Sequence, residues 1–211
     1  MSHSRRLTVL LGWIAGLALM GRSASGQRLD IPSVSIRIDD YAAVPSRHLA
    51  RAQDDVTQLF AAIGVETVWV GAHGVSSVAS QTLPAVSRRP ADLTIIVLGP
   101  EMVDKLAPPE DVVGASPCTT TERGRVAYVF YPRLRMIATG SRENDPDLMG
   151  LVIAHELGHL LLPYGSHSDE GVMRGRWEVR ELQRLDVRQL GFTPFQAQQI
   201  RRRASRSFGA P

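Results

Sequence analysis

The apolar pattern of this 211-residue chain predicts an α/β (α+β) domain, a layer sandwich that ends in a smaller helical part. Three observations carry that prediction. Four short apolar segments read as strands. A long amphipathic helix lies between the first two of them. A second long and very apolar helix follows the last strand, and after it only helical segments remain.

The first 26 residues stand outside the domain. Arg5 and Arg6 precede the apolar run Leu7–Met20, and small and polar residues fill 21–26. That order of charge, apolar stretch and small residues is a secretory signal peptide. The run is short for a membrane-spanning helix, so cleavage is expected, with no stable membrane span afterwards. Residues 27–211 then form a single domain, since this length suits one core.

Within it, Val34–Asp39 alternates apolar and polar residues, the period of a half-buried strand. Ser46–Ile63 places Leu49, Ala50, Val56, Leu59, Phe60 and Ile63 at helical spacing, and Gly64 closes the helix. Val65–Val70 is a second strand. Residues 71–92, rich in Gly, Ser, Ala and Pro, read as loop. Leu93–Leu98 is a continuous apolar run and so a buried central strand. Glu101–Leu106 forms a short helix, 108–124 a loop holding Cys118, and Val126–Tyr131 a fourth strand. Asp145-Pro146-Asp147 opens the next helix, with Pro at its first position and an acid at the positive end of its dipole. Pro163 and Gly165 stop it after Leu162. Helical stretches near 177–190 and 194–204 complete the chain, the last begun by Thr193-Pro194.

The chemistry is concentrated in that apolar helix. Three of the six histidines fall in His155-Glu156-Leu157-Gly158-His159-Leu160-Leu161-Leu162-Pro163-Tyr164-Gly165-Ser166-His167. Residues four apart share one helix face, so His155 and His159 can reach one metal ion, and Glu156 stands beside the pair to accept a proton from a metal-activated water. A buried helix cannot leave two imidazoles and a carboxyl without partners, and a metal supplies them. His167, beyond the helix breaker, can return as a third ligand. Three protein ligands and one open position describe a catalytic zinc site. Asp169 is a rival for the third position, as are Glu178 and Glu181 further on. Tyr164 is a candidate for assisting the oxyanion, against the plainer reading of a loop residue.

Downstream, Gly171-Val172-Met173-Arg174-Gly175 resembles the Met-turn of the metzincin zinc peptidases, in which a Met side chain packs beneath the metal-binding histidines. The usual metzincin signature has Gly three residues after the second His and the third His three residues later. Here Leu162 and Gly165 hold those positions, and His167 arrives two residues late. The wider HExxHxxxxxxxH spacing is similar to that of a group of small secreted bacterial proteins. The resemblance covers residues 155–173. It implies a twisted mixed sheet with a backing helix, the HExxH helix as active-site helix and a small helical C-terminal subdomain. It also implies one catalytic Zn²⁺ held by His155, His159 and His167, Glu156 as general base, and Met173 in the Met-turn. In that family an edge strand over the cleft pairs with extended peptide, and Val126–Tyr131 is its expected counterpart.

Composition narrows the partners. Of 24 Lys and Arg, three (Arg5, Arg6, Arg22) leave with residues 1–26, so 21 basic residues face 21 acidic ones. A neutral balance gives no case for nucleic-acid binding. Arg201-Arg202-Arg203 suits the negative end of a helix dipole. The single cysteine, Cys118, excludes an intramolecular disulfide. The expectation is an exported, extracellular or periplasmic, monomeric zinc metalloendopeptidase acting on peptide or protein. Its alternative is a zinc-stabilised binding protein without turnover.

Overall fold

The computed structural model describes residues 31–71, 92–117, 124–138, 145–182 and 186–207. The signal segment 1–26, Cys118 and most of the loop expected over 71–92 lie outside the described residues.

The frame is a five-stranded mixed sheet. Strands β1 (Ser33–Asp40), β2 (Glu66–Trp69), β3 (Leu93–Leu98), β4 (Gly114–Ala115) and β5 (Val126–Phe130) lie in the order β2-β1-β3-β5-β4. All neighbours are parallel except β4, which runs antiparallel to β5 with Gly114 opposite Val129 and Ala115 opposite Tyr128. The alternation read in the sequence sorts the strand residues between two faces. Val34, Ile36, Ile38, Leu93, Ile95, Val97, Ala127 and Val129 join the main core. Leu98 and Phe130 point into a smaller cluster closed by Val103 of α2 (Pro100–Leu106).

Helix α1 (Ser46–Ala62) packs on α4 (Asp145–Leu161), and α4 also meets β3, β4 and β5. On α4 Leu148, Met149, Leu151, Val152, Ile153, Ala154, Leu157, Leu160 and Leu161 are all buried. Apolar residues on every side mark a helix enclosed by its neighbours, not one lying on the surface. Its contact with α1 includes a buried carboxylate, Asp55, paired with Arg51 at 3.1 Å. Arg51 also reaches Asp147 in the first turn of α4 at 3.2 Å, which pins the start of that helix to α1.

Three features differ from the sequence expectation. The expected strand Val126–Tyr131 ends at Phe130, because Tyr131 begins α3 (Tyr131–Ala138). Pro132 is tolerated in a first helical turn, and Tyr131, Leu134 and Ala138 fall at helical spacing and are buried. Second, the segment 108–124 is not all loop: it supplies β4, which covers the outer side of β5. The strand expected to lie open over the cleft is therefore interior, and β4 is the edge. Arg133 of α3 holds the approach to β4, donating to the carbonyls of Pro108 (2.7 Å), Val112 (2.5 Å) and Pro109. Third, helical structure within 177–190 is limited among the described residues to α5 (Val179–Leu182) and a 3₁₀ turn at Val187–Gln189. The final helix, α6 (Pro194–Ser207), packs against α4 and β1.

Candidate metal centre

His155 and His159 stand one turn apart on α4, and their Nε2 atoms are 3.0 Å apart. The chain leaves the helix after Leu161, turns through Pro163 and Gly165 (φ 76°), and returns with His167 Nε2 3.1 Å from His159 Nε2. The ligating nitrogens of the three rings all lie within 4.8 Å of one another, and among the described residues no other group of three or more His, Cys, Asp or Glu converges in this way. A tetrahedral zinc with nitrogen bonds of about 2.0–2.1 Å would hold its ligand atoms about 3.3–3.4 Å apart. The His155–His159 and His159–His167 separations are within about 0.4 Å of that spacing and the third pair lies within 4.8 Å, so the donor set can hold a metal ion such as zinc.

The protonation pattern fits as well. The Nδ1 atom of His155 lies 2.8 Å from the carbonyl oxygen of Val172. Since a carbonyl only accepts, Nδ1 carries the proton and Nε2 keeps a free lone pair. Burial holds the His155 pKa below the ordinary imidazole value, against the opposing pull of the Val172 carbonyl. His159 is pushed down to about 4, chiefly by burial and then by the neighbouring His155 and His167 rings. Neutral imidazoles are the metal-binding form.

Glu156 is buried between α4 and the sheet edge. Its Oε2 accepts a hydrogen bond from Ser116 Oγ at 2.7 Å, and the same hydroxyl lies 3.0 Å from the Glu156 carbonyl oxygen. Burial raises the Glu156 pKa to about 7, against the Ser116 hydrogen bond that favours the carboxylate. A carboxyl in that range can take up and release a proton near neutrality. Gly114 of β4 makes room for it: a Cβ there would stand 2.6 Å from Glu156 Oε1. Neither Ser116 nor Gly114 was singled out from the sequence, because loop residues that meet a helix 40 positions away leave no local signal.

Met173 is fully buried against the same helix. A Cβ on Gly158 would come within 2.2 Å of its Sδ, so the glycine between Leu157 and His159 is the slot into which the Met side chain fits. The Met173 backbone belongs to a turn in which the Arg174 N–H donates to Gly171 O (3.2 Å) and the Ser168 N–H to Met173 O (2.9 Å). One turn thus supplies the carbonyl that orients His155, the sulfur beneath α4 and the acceptor that steadies the residue after His167.

The rival ligands stand elsewhere. Asp169 is exposed and belongs to no such cluster among the described residues. The Glu181 carboxylate is occupied by Arg174 Nη1 (3.0 Å) and the Glu178 N–H (2.9 Å). Tyr164 is exposed on the loop after α4.

No protein-family model matches this chain, and no curated protein is significantly similar to it. Among solved structures it is similar to the crystal structure of archaemetzincin from Methanopyrus kandleri. The TM-score is 0.49, with 18% sequence identity over 85% of this chain and 98% of that one. At that distance the likeness transfers no activity, ligand or residue role.

Proposed function

We propose that this chain is an exported zinc-dependent metallopeptidase. One observation carries the reading: the ligating nitrogens of His155, His159 and His167 lie within 4.8 Å of one another, and the residue after His155 is a buried glutamate. His155, His159 and His167 would hold the metal. Bound there, zinc supplies the Lewis acidity that activates water and polarises a peptide carbonyl. Glu156 accepts the proton of the attacking water and delivers it to the leaving amine. Ser116 keeps the Glu156 carboxyl in one orientation through the hydrogen bond to Oε2. Val172 fixes the His155 tautomer, and Met173 packs under the ligand helix as an apolar, polarisable floor. The edge strand β4, next to Glu156, is suited to receive an extended peptide. The signal-like residues 1–26 support export.

Glu156→Gln tests the reading. The variant should bind zinc as the wild type does and lose hydrolysis of a peptide pool by a factor of about 100 or more. Hydrolysis retained in Glu156→Gln would remove Glu156 from the mechanism. Zinc binding by the wild type with no hydrolysis of any peptide would favour the zinc-stabilised binding protein.

A further inference from the structure

We propose that Gln196 is a positioning residue for the metal centre: its buried side-chain amide fixes the loop that presents His167, so that α6 completes the site. The proposal rests on the zinc reading above.

Among the described residues Gln196 is one of three buried polar or charged side chains, 5% exposed, and its amide is fully engaged with two segments at once. The side-chain Oε1 accepts the Thr193 N–H at 2.9 Å while the Gln196 backbone N–H donates to Thr193 Oγ1 at 3.3 Å. That reciprocal pair is a capping box at the start of α6. Because Thr193 N can only donate, Oε1 must face it, and the amide orientation follows. Nε2 then points the other way, to Ser166 O at 3.1 Å and Ser168 Oγ at 3.1 Å. These are the residues on either side of His167. The Ser168 hydroxyl proton is already given to Glu170 O (2.7 Å), so a lone pair of that oxygen faces Gln196.

His167 needs such a brace. The residue is exposed, unlike the half-buried His155 and His159, so beyond its contact with Gly175 packing fixes it less than the other two. Seven residues, 160–166, separate it from His159. Gln196 clamps both neighbours of the ligand to a helix that is itself packed on α4, which carries the other two. Partners behind a metal ligand typically contribute about 10–100-fold to metal affinity.

The test is zinc affinity by chelator competition on the purified chain, with visible absorption of the cobalt(II) form. Gln196→Glu keeps an oxygen for the Thr193 cap but replaces the donor to Ser166 and Ser168 with a second acceptor. It should lose about 10–100-fold in zinc affinity and shift the cobalt spectrum toward that of His167→Ala. Thr193→Ala weakens the same cap but leaves the Nε2 contacts, so it should lower the melting temperature while zinc affinity stays within about twofold of wild type. If Gln196→Glu does not fold, Ser168→Ala removes one of the two acceptors and should show a smaller loss in the same direction. Wild-type zinc affinity in Gln196→Glu or Ser168→Ala, with binding lost in His167→Ala, overturns the proposal. So does an equal loss in Thr193→Ala, which would make the effect one of helix stability. A wild type that binds no zinc removes the metal reading and this proposal together.

Discussion

The two halves of the histidine cluster are held by different physics. His155, Glu156 and His159 ride on α4, whose nine buried apolar side chains between Leu148 and Leu161 lock it against α1 and the sheet. Each of these except Ala154 contributes about 1.5–3 kcal/mol when fully buried. His167 and Met173 come from the irregular segment after Leu162; Val172 and Met173 anchor that segment in the core, while His167 itself is exposed and its loop is held by single hydrogen bonds and a turn. A net hydrogen bond contributes about 0.5–1.5 kcal/mol. The helix half is thus over-determined and should survive single changes, while the loop half depends on a few named contacts. In the proposed zinc site this division would keep two histidines fixed and tune the third.

The comparison can be broken at several points. Ile153→Ala, in the wholly buried stretch of α4, should cost about 2–5 kcal/mol in denaturant unfolding. A cost below about 1 kcal/mol would mean that α4 is not the rigid member. Gly158→Ala drives a methyl into the Met173 sulfur, and overpacking of this kind costs about 1–3 kcal/mol. Adding Met173→Ala should recover part of that loss in a thermal melt, because it empties the slot; strictly additive losses would contradict the packing of Met173 on Gly158. Thr193→Ala should cost about 1 kcal/mol, the usual worth of a helix cap, read from the same melts. Glu181→Gln removes a half-exposed pair with Arg174 and should leave the melting temperature almost unchanged. It should leave zinc content untouched; zinc lost in that variant would revive the glutamate as a ligand.

The same division explains what the sequence disclosed. Apolar patterning and end signals located β1, α1, β2, β3, β5 and α4 to within a residue or two: β1 and α1 bury a regular apolar face, β3 is a continuous apolar run, and α4 is apolar all round between Pro-marked ends. The i, i+4 spacing of His155 and His159 on an apolar helix carried the metal reading with it. α3 was legible in the spacing of Tyr131, Leu134 and Ala138 but was hidden behind the strand that runs into it. β4 was not legible: a two-residue strand has no period, and Gly114-Ala115 becomes an edge only by pairing with β5. The parts of the site built from long-range contacts, such as Ser116 on Glu156, were invisible for the same reason. Gln196 is intermediate. Thr193-Pro194-Phe195-Gln196 carries the capping-box pattern, but its outward bonds to Ser166 and Ser168 depend on tertiary packing.

The central claim is that the late histidine is a true third ligand and that one zinc joins the two halves. The direct measurement is bound metal, by elemental analysis after loosely held ions are removed, on the wild type and on His167→Ala. The account predicts one zinc per chain in the wild type and its loss in the variant. Zinc held as tightly by His167→Ala as by the wild type, or no zinc in the wild type at all, would contradict it.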